Sequence, residues 1–371
     1  MLATRTRIAL ADPQSVLRPL CEHLIEHDAV ITEDAGATLI VLDAAKARLD
    51  LLPAALDVSV EAPDASALQA MKRAIASHVV EFAPKGGAPE IRWSGDGTGP
   101  ALPADFRVLT VTGIETITPH MRRIRFRGEN LARFEQTEAL HVRLFIPPEG
   151  LAEPVWPMIG EDGLLLQPPP EERAVVRKYT IREIDSAAGA VALDFVLHED
   201  AGPGSAFAMR AQIGDRIGMA GPGGRGLKLA ERYVFLADET GLPAIARMLE
   251  KLPTDAVGQI FVEIADAGEE QHLSAPAGIA VTWLHRGDAT PGSRPLLQET
   301  FAALDWPADG PGVYLWVAAE HGAFRDIRAA AKAKLRPERD QHLIVSYWRR
   351  GVTEEEHTAA KRAEASRQQS L

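Results

Sequence analysis

The chain has 371 residues, of which 46% are apolar and 25% are charged, and its formal net charge is −12. These values predict a soluble globular protein of two or three domains and disfavour binding to nucleic acid or to an anionic membrane surface. No apolar run is long enough to span a bilayer, and the N-terminus lacks the apolar core of a secretory signal, so we expect a cytoplasmic protein without membrane insertion. The single cysteine, Cys21, excludes an internal disulfide and a cysteine-ligated iron–sulfur cluster within the chain.

Residues 1–95 predict a small α+β domain of unknown role. Two amphipathic helices are expected at 13–27 and from about residue 65 to 82, each preceded by a capping aspartate. Short strands are expected at 4–10, 30–32, 37–42, 48–52 and 56–61. The histidines on these helices show no spacing that is typical of a metal site, so we expect packing or surface roles for them. They are His23, His27 and His78.

Residues 105–230, which follow a glycine- and proline-rich linker at 96–104, predict an antiparallel six-stranded β-barrel because short strands alternate with turn residues. The strands are expected at 108–114, 121–126, 141–145, 175–184, 191–197 and 216–219. Residues 147–171 contain seven prolines and form a long excursion from this barrel. Such excursions are often functional.

Residues 231–352 alternate between predicted strands and helices, which indicates an α/β nucleotide-binding domain with a parallel sheet covered on both faces. Strands are expected at 233–237, 259–264, 279–284, 313–318 and 342–347, and helices at 242–251, 295–304 and 323–335. Residues 353–371 predict a helical tail, and their polar composition is typical of a solvated helix.

The stretch Arg177–Arg182 combines residue types that suit a flat cofactor carrying a diphosphate. A tyrosine ring can cover one face of a flavin, a threonine hydroxyl can bind the ring edge, and an arginine can bind phosphate oxygens in bidentate fashion. By itself this pattern fits equally well an ordinary barrel strand with one inward tyrosine and two solvated arginines.

Three glycine-bearing stretches lie further along the chain. Residues 198–208 place Gly204 and Ser205 at a predicted helix N-terminus, which suits a diphosphate but also an ordinary turn. Residues 220–226 contain four glycines in their last six positions, so they can approach a ligand closely or connect two domains flexibly. Residues 237–245 follow the first strand of the α/β domain, where open sheets bind ligands, although a G-x-G-x-x-G fingerprint is absent. No P-loop, metalloprotease or nucleophile-elbow motif is present, and no metal site is expected.

Together these stretches resemble the siderophore-interacting protein family, a branch of the ferredoxin–NADP reductase-like flavoproteins. The sequence RKYTIR at 177–182 matches its flavin motif, and the similarity covers residues 105–352. Further matches are DFVLHEDAGPGSAFA (194–208), GDRIGMAGPGG (214–224), ADETGLPAI (237–245), WLHR (283–286), VAAEHGAFRDIR (317–328) and SYWRRG (346–351). Residues 1–93 resemble a small uncharacterised domain sometimes found beside this family.

The resemblance implies FAD as the cofactor and NADPH or NADH as the electron donor. Tyr179 would stack on the flavin ring, Thr180 would bind its edge and Arg177 would hold the diphosphate. The other implied cofactor-binding residues are Ile181, Arg182, His198, Gly204, Ser205, Ala206, Gly221, Glu320 and Trp348. Asp238, Glu239 and Thr240 would lie where the nicotinamide approaches, and the implied catalytic residues are Tyr179, Thr180, Asp238 and Thr240. The chain departs from the family at Gly204, where alanine is frequent, and at Ala319, where glycine is frequent.

This resemblance implies a flavin-dependent ferric-siderophore reductase, which would release iron as iron(II). A reduced ferredoxin is a further potential electron donor. An anionic chelate needs cations near the flavin edge, and the candidate substrate residues are Arg225, Lys228, Arg349 and Arg350. A general NAD(P)H–flavin oxidoreductase and a non-enzymatic siderophore-binding protein remain as alternatives.

Overall fold

The computed structural model describes residues 1–84, 88–151, 153–198, 202–306, 312–334 and 342–360. The chain divides into two compact units, Met1–Phe106 with Pro148–Ala174, and Arg107–Pro147 with Val175–Leu371. None of the helices within the described residues has both the length and the apolar character needed to cross a membrane.

The N-terminal part of the first unit is a six-stranded antiparallel sheet with two helices. Its elements are β1 (Leu2–Ala9), α1 (Pro13–Glu26), β2 (Val30–Asp34), β3 (Ala37–Leu42), β4 (Ala45–Leu52), β5 (Ala55–Ala62), α2 (Ala65–Phe82) and β6 (Ser94–Gly95). The strand order is β2-β3-β4-β5-β1-β6. Asp12 and Asp64 accept backbone hydrogen bonds at the starts of α1 and α2, as their sequence positions predicted.

The next eight strands include the barrel of the second unit. They are β7 (Phe106–Thr118), β8 (Met121–Arg127), β9 (His141–Ile146), β10 (Met158–Ile159), β11 (Leu165–Leu166), β12 (Val175–Asp185), β13 (Ala190–Val196) and β14 (Arg216–Gly223). Six of them close a barrel in the order β12-β13-β8-β7-β14-β9, which confirms the predicted architecture. The other two, β10 and β11, form a hairpin in the first unit, where the Trp93 indole donates to the Asp162 carbonyl at 3.0 Å. The excursion therefore packs with the N-terminal sheet.

The rest of the second unit is an α/β domain. Helix α3 (Pro203–Arg210) belongs to the barrel part, and the elements that follow are β15 (Arg232–Asp238), α4 (Leu242–Leu249), β16 (Val257–Ile264), β17 (Gly278–His285), α5 (Leu296–Ala303), β18 (Val313–Glu320), α6 (His321–Lys334) and β19 (His342–Trp348). The strands are parallel in the order β17-β16-β15-β18-β19. Every residue of β18 is buried, as expected for a central strand covered on both faces. The predicted α/β domain is confirmed.

Two buried charged side chains join the barrel to the α/β domain. Arg247 of α4 donates to the carbonyls of Phe134 at 2.7 Å and Gln136 at 2.9 Å in the barrel. Glu269 accepts from the Thr118 hydroxyl at 2.5 Å and from the His120 amide at 3.0 Å. Because these charges are satisfied only across the junction, they fix β12 relative to the parallel sheet.

The C-terminal segment, residues 353–360, is helical from residue 354 and packs on the second unit. His357 is 3% exposed, and its Nε2 lies 3.1 Å from the Ser346 hydroxyl of β19. The interpretation of this segment as a solvated helix is therefore wrong for the face that carries His357, whereas Thr353, Glu355, Glu356 and Ala359 are exposed. Residues 361–371 of the predicted tail lie outside the described residues.

Candidate flavin and nicotinamide site

Strand β12 places the residues of the predicted flavin motif in different surroundings. Ile181 is in the barrel core, and the half-buried ring of Tyr179 lies 4.5 Å from the Phe195 ring. Thr180 is buried outside that core. Arg182 is paired with Glu250 at 2.8 Å, at the end of α4, so its charge connects β12 to the α/β domain.

The Arg177 guanidinium is held by acidic side chains of the C-terminal segment. Its Nη1 donates to Glu355 Oε1 at 2.6 Å, and its Nε lies 3.7 Å from Glu354 Oε2. Hydrogen bonding to Arg177 lowers the pKa of Glu355, whereas burial raises the pKa of Glu354. Arg177 thus already binds an anionic group in the way that the diphosphate of FAD would require.

Gly204, at the start of α3, lies directly under the Tyr179 hydroxyl. A Cβ added at Gly204 would overlap that oxygen and would stand 3.0 Å from Cζ of the same ring. The alanine that is frequent here in the family would therefore force the tyrosine ring to move. Glycine at this position allows the Tyr179 ring to lie against the helix that the sequence assigned to the diphosphate.

The other predicted residues near α3 are only partly brought together. Ser205 is buried and its hydroxyl accepts from the His198 amide at 3.2 Å, while the His198 side chain is exposed. Ala206 lies in the first turn of α3 and its amide donates to the Gly202 carbonyl at 2.9 Å. Residues 199–201 of this stretch lie outside the described residues. The turn can present backbone amides to an anion, but its side chains add no positive charge.

The hydroxyl of Tyr347, a residue that the sequence did not single out, connects β12 to the parallel sheet. His141 of β9 pairs with Thr180 of the neighbouring strand β12. The Nε2 atom of His141 lies 2.5 Å from the Tyr347 hydroxyl. Burial raises the pKa of Tyr347, and the neighbouring Thr180 hydroxyl opposes the rise. Gly221 packs nearby, since a Cβ added there would stand 3.4 Å from the His141 carbonyl.

The Asp238 carboxylate joins three strand ends of the parallel sheet. Its Oδ1 accepts from the Thr240 amide at 2.9 Å and the Thr240 hydroxyl at 2.5 Å. Its Oδ2 accepts from the Glu320 amide at 2.9 Å and the Trp348 indole at 2.8 Å. Burial raises the pKa of Asp238, and these four hydrogen bonds oppose the rise. Asp238 therefore positions Thr240, Glu320 and Trp348.

Glu320 and Trp348 lie side by side beneath a glycine of the loop after β17. The Glu320 carboxylate accepts from the Arg350 amide at 3.2 Å and from the Gly322 amide. A Cβ added at Gly292, which has φ +68°, would stand 2.6 Å from Glu320 Cγ and 3.4 Å from the Trp348 ring. Trp348 is half-buried, so part of its ring remains available to cover a ligand at this sheet end.

A buried acidic group lies beside Asp238, and sequence reasoning missed its member Glu263. Glu239 is paired with Arg286, and both side chains are buried. Glu263, in register with Asp238, is 3% exposed, and its Oε1 has no hydrogen-bond partner within the described residues. Burial, followed by the charges of Asp238 and Glu239, raises the pKa of Glu263 to about 7. The register of two parallel strands that both end in acids is the signal that could have predicted this group.

The four cations predicted to bind a siderophore do not converge on one pocket. The charge of Arg225 acts on Tyr314 and His342, which lie at the starts of β18 and β19. Arg349 and Arg350 are exposed and follow the other end of β19. A strand of seven residues is about 20 Å long at roughly 3.3 Å per residue. The single-pocket hypothesis is therefore corrected: Arg349 and Arg350 lie beside Trp348, whereas Arg225 and the nearby Lys228 lie toward the opposite sheet end.

Three family profiles match the chain in order. Residues 5–94 match a family described as an uncharacterized protein conserved in bacteria, residues 110–226 match the siderophore-interacting FAD-binding domain, and residues 230–351 match siderophore-interacting protein. The described residues fit FAD, since Arg177 binds an anion and the Tyr179 ring lies over α3.

Curated and solved relatives resemble the second unit. The chain is 28% identical over 252 residues to the ferric vibriobactin reductase ViuB of Vibrio cholerae, covering 67% of this chain and 91% of ViuB. It is 31% identical over 236 residues to the NADPH-dependent ferric-chelate reductase of Escherichia coli, covering 62% and 87%. The crystal structure of the siderophore-interacting protein SipS from Aeromonas hydrophila aligns with a TM-score of 0.61 and 32% identity, over 71% of this chain and 98% of SipS. The chain therefore belongs to the siderophore-interacting protein family, and its FAD-binding domain spans residues 110–226.

Proposed function

We propose that this protein is an FAD-dependent reductase of ferric siderophores that takes electrons from a nicotinamide nucleotide and releases iron as iron(II). The relatives named ferric vibriobactin reductase and NADPH-dependent ferric-chelate reductase support this activity. When bound, FAD supplies a group that can accept two electrons as a hydride and release them one at a time. The chain supplies binding, orientation and electrostatics.

The observation that carries the proposal is the hydrogen-bonded contact between the two predicted halves of the site. His141, which pairs with Thr180 of β12, is hydrogen-bonded to the Tyr347 hydroxyl at 2.5 Å, and the next residue, Trp348, donates to Asp238 at the carboxyl end of β15. The predicted flavin strand and the sheet edge where a nicotinamide would bind are thus linked through two adjacent residues of β19. Hydride transfer requires such proximity, because the reacting atoms must come within about 3–3.5 Å.

The substrate would approach from the side of Arg349 and Arg350. Siderophores bind iron(III) through hard, often anionic oxygen donors, so an exposed pair of guanidinium groups can attract the chelate without entering its iron coordination. Both residues follow Trp348 directly and are exposed, which supports a role for their charges near the proposed flavin edge. No residue of the chain needs to form a covalent bond with the substrate.

We further propose that residues 105–230 hold FAD, that residues 231–352 bind the nicotinamide nucleotide, and that Arg177, Tyr179, Thr180, Gly204, Ser205 and Trp348 are the principal FAD contacts. NADPH is the first donor to test, because it is the donor named for the Escherichia coli relative. NADH and a reduced ferredoxin are the alternatives. A cytoplasmic location is part of the proposal, because a nicotinamide nucleotide would be drawn from the pool inside the cell.

The test is anaerobic reduction of the purified flavoprotein followed by addition of a ferric siderophore. We expect NADPH or NADH to bleach the flavin absorbance, and the chelate to restore it while iron(II) is trapped by a chromogenic ligand. A protein that binds the chelate but is not reoxidised would contradict the proposal. Reoxidation by many unrelated acceptors, without preference for ferric chelates, would indicate a general oxidoreductase instead. Reduced ferredoxin is tested in the same assay if neither nucleotide reacts.

A further inference from the structure

Three histidines of the N-terminal domain form a cluster on the outer face of α1 and α2. His23 and His27 are four residues apart on α1 and at its end, so their side chains lie on one face. The His23 ring centroid lies 4.8 Å from that of His27 and 4.7 Å from that of His78 on α2. His27 is exposed and the other two are half-buried, so the cluster is open to solvent.

The two α1 histidines point the same nitrogen at each other. Nε2 of His23 lies 3.1 Å from Nε2 of His27. Imidazole nitrogens bind first-row transition metals at about 2.0–2.1 Å, so two such ligands on one ion stand roughly 2.9–3.4 Å apart. The observed separation falls in that interval. In the absence of an ion, one ring must donate a hydrogen bond to the other at the same distance.

The remaining ring nitrogens face groups of the kind that orient metal-bound histidines. His78 Nδ1 lies 2.5 Å from the Ala74 carbonyl, which requires a proton on Nδ1 and leaves the Nε2 lone pair available. His23 Nδ1 lies 3.9 Å from the Glu26 carboxylate. The Ala74 carbonyl thus fixes the His78 tautomer that binds metal through Nε2, whereas the Glu26 carboxylate is too distant to hydrogen-bond to His23.

Within the described residues, no three histidine, cysteine or acidic side chains already surround one point as a metal requires. The pair is in place, and the third nitrogen, Nε2 of His78, joins it only if that half-buried side chain moves toward the pair. The Phe82 ring, 6.3 Å from His23 and 6.1 Å from His78, borders the cluster on one side.

We propose that His23 and His27, with His78 as the third ligand, form a binding site for a divalent first-row transition metal ion. Imidazole ligands suit iron, nickel, copper and zinc, whereas magnesium and calcium prefer oxygen. The site lies wholly in the first unit, so it gives the N-terminal domain a binding role that does not depend on the flavin reaction.

The experiment is a calorimetric titration of the untagged, chelator-treated full chain with Zn²⁺, repeated with Ni²⁺. We expect one ion per chain at this site. His23→Ala and His27→Ala should each weaken binding at least tenfold, and His78→Ala severalfold. His272→Ala is the matched control, because His272 is an exposed histidine of the other unit, and it should bind like the wild type. Millimolar Mg²⁺ should not compete.

Far-UV circular dichroism and thermal unfolding of each metal-free variant establish that α1 and α2 remain folded. Wild-type protein that takes up no ion, or His23→Ala and His27→Ala variants that bind as tightly as the wild type, would overturn the proposal. A full-affinity His78→Ala variant would remove His78 from the ligand set and overturn the three-histidine site. None of these results depends on flavin content or reductase activity.

Discussion

The Arg177 guanidinium donates to the Glu355 carboxylate at 2.6 Å, across 178 positions of sequence. This ion pair connects the residue proposed for the FAD diphosphate to a segment that a sequence-based interpretation left in solvent. Because Glu355 and Glu354 already engage Arg177, the diphosphate of FAD would compete with these carboxylates for its donors.

The first prediction concerns this competition. Glu355→Gln should strengthen FAD binding by up to about fivefold, because an exposed ion pair contributes about 0.2–1 kcal/mol. Arg177→Ala should weaken FAD binding at least tenfold. Fluorescence quenching during titration of flavin-free protein with FAD measures both. Glu356→Gln is the control, since that carboxylate accepts from Thr353 at 3.0 Å instead. Unchanged FAD affinity in Arg177→Ala would contradict the assignment.

Local patterns in the sequence predicted the elements well. The capping aspartates, the alternation in the barrel strands and the continuous apolar run of β18 each depend on neighbouring residues, and all three appear in the structure. What could not be predicted involves partners far apart in sequence. The Tyr347–Thr180 contact and the barrel carbonyls that hold Arg247 depend on how two domains pack.

The same limitation explains the errors at the site. Residues 353–360 were interpreted by their polar composition, which does not show that His357 is buried against Ser346. The four candidate cations were grouped by charge alone. The sequence does not show that Arg225 lies near the start of β19, whereas Arg349 follows its end. Arg182 looks like a phosphate ligand in the motif, yet its partner is Glu250.

A second prediction follows from the close approach of Gly204 to Tyr179. Gly204→Ala should destabilise the protein by about 1–3 kcal/mol, because the new methyl group overlaps the Tyr179 hydroxyl. Adding Tyr179→Phe removes the overlapping oxygen and should restore at least half of the loss. Urea unfolding of the wild type, both single variants and the double variant gives a double-mutant cycle. Additive losses would show that the two positions do not interact.

A third prediction concerns the pH dependence of stability. The pKa of Glu263 is raised to about 7 from an ordinary value of 4.5, so between these pH values the folded chain holds a proton that the unfolded chain has lost. Stability therefore falls as pH rises through this window, and the penalty is complete above pH 7. Glu263→Gln should remove this penalty. The free energy of unfolding should rise by on the order of 1–3 kcal/mol at pH 8 and change little at pH 4.5. Urea unfolding at several pH values measures the difference, and equal pH slopes in the two proteins would exclude a raised pKa.

A fourth prediction concerns Asp238 as a positioning residue. Asp238→Asn turns one acceptor oxygen into a donor that faces existing donors, so it should cost about 1–3 kcal/mol of stability. It should also slow flavin reduction by NADPH, because Trp348 and the Glu320 backbone lose their common partner. FAD affinity should fall less than in Arg177→Ala, because Asp238 acts on FAD only through Trp348. Stopped-flow bleaching, with flavin content measured in parallel, separates these effects. Trp348→Phe, which deletes one of the donors, should show a smaller slowing, and a wild-type rate in both variants would contradict the role.

The last prediction distinguishes the two groups of cations. If Arg349 and Arg350 attract the chelate, replacing both with glutamine should raise KM for an anionic ferric siderophore about three- to tenfold while kcat changes less, because long-range attraction acts mainly on encounter. Replacing Arg225 and Lys228 with glutamine removes the same charge at the other end of β19 and serves as the comparison.

The effect of the Arg349 and Arg350 variant should shrink in high salt, which screens exposed charges. A neutral chelate should show no such difference. Wild-type KM values in both double variants would mean that neither pair of cations selects the substrate, and a larger effect at Arg225 and Lys228 would move the substrate site to the opposite end of the sheet.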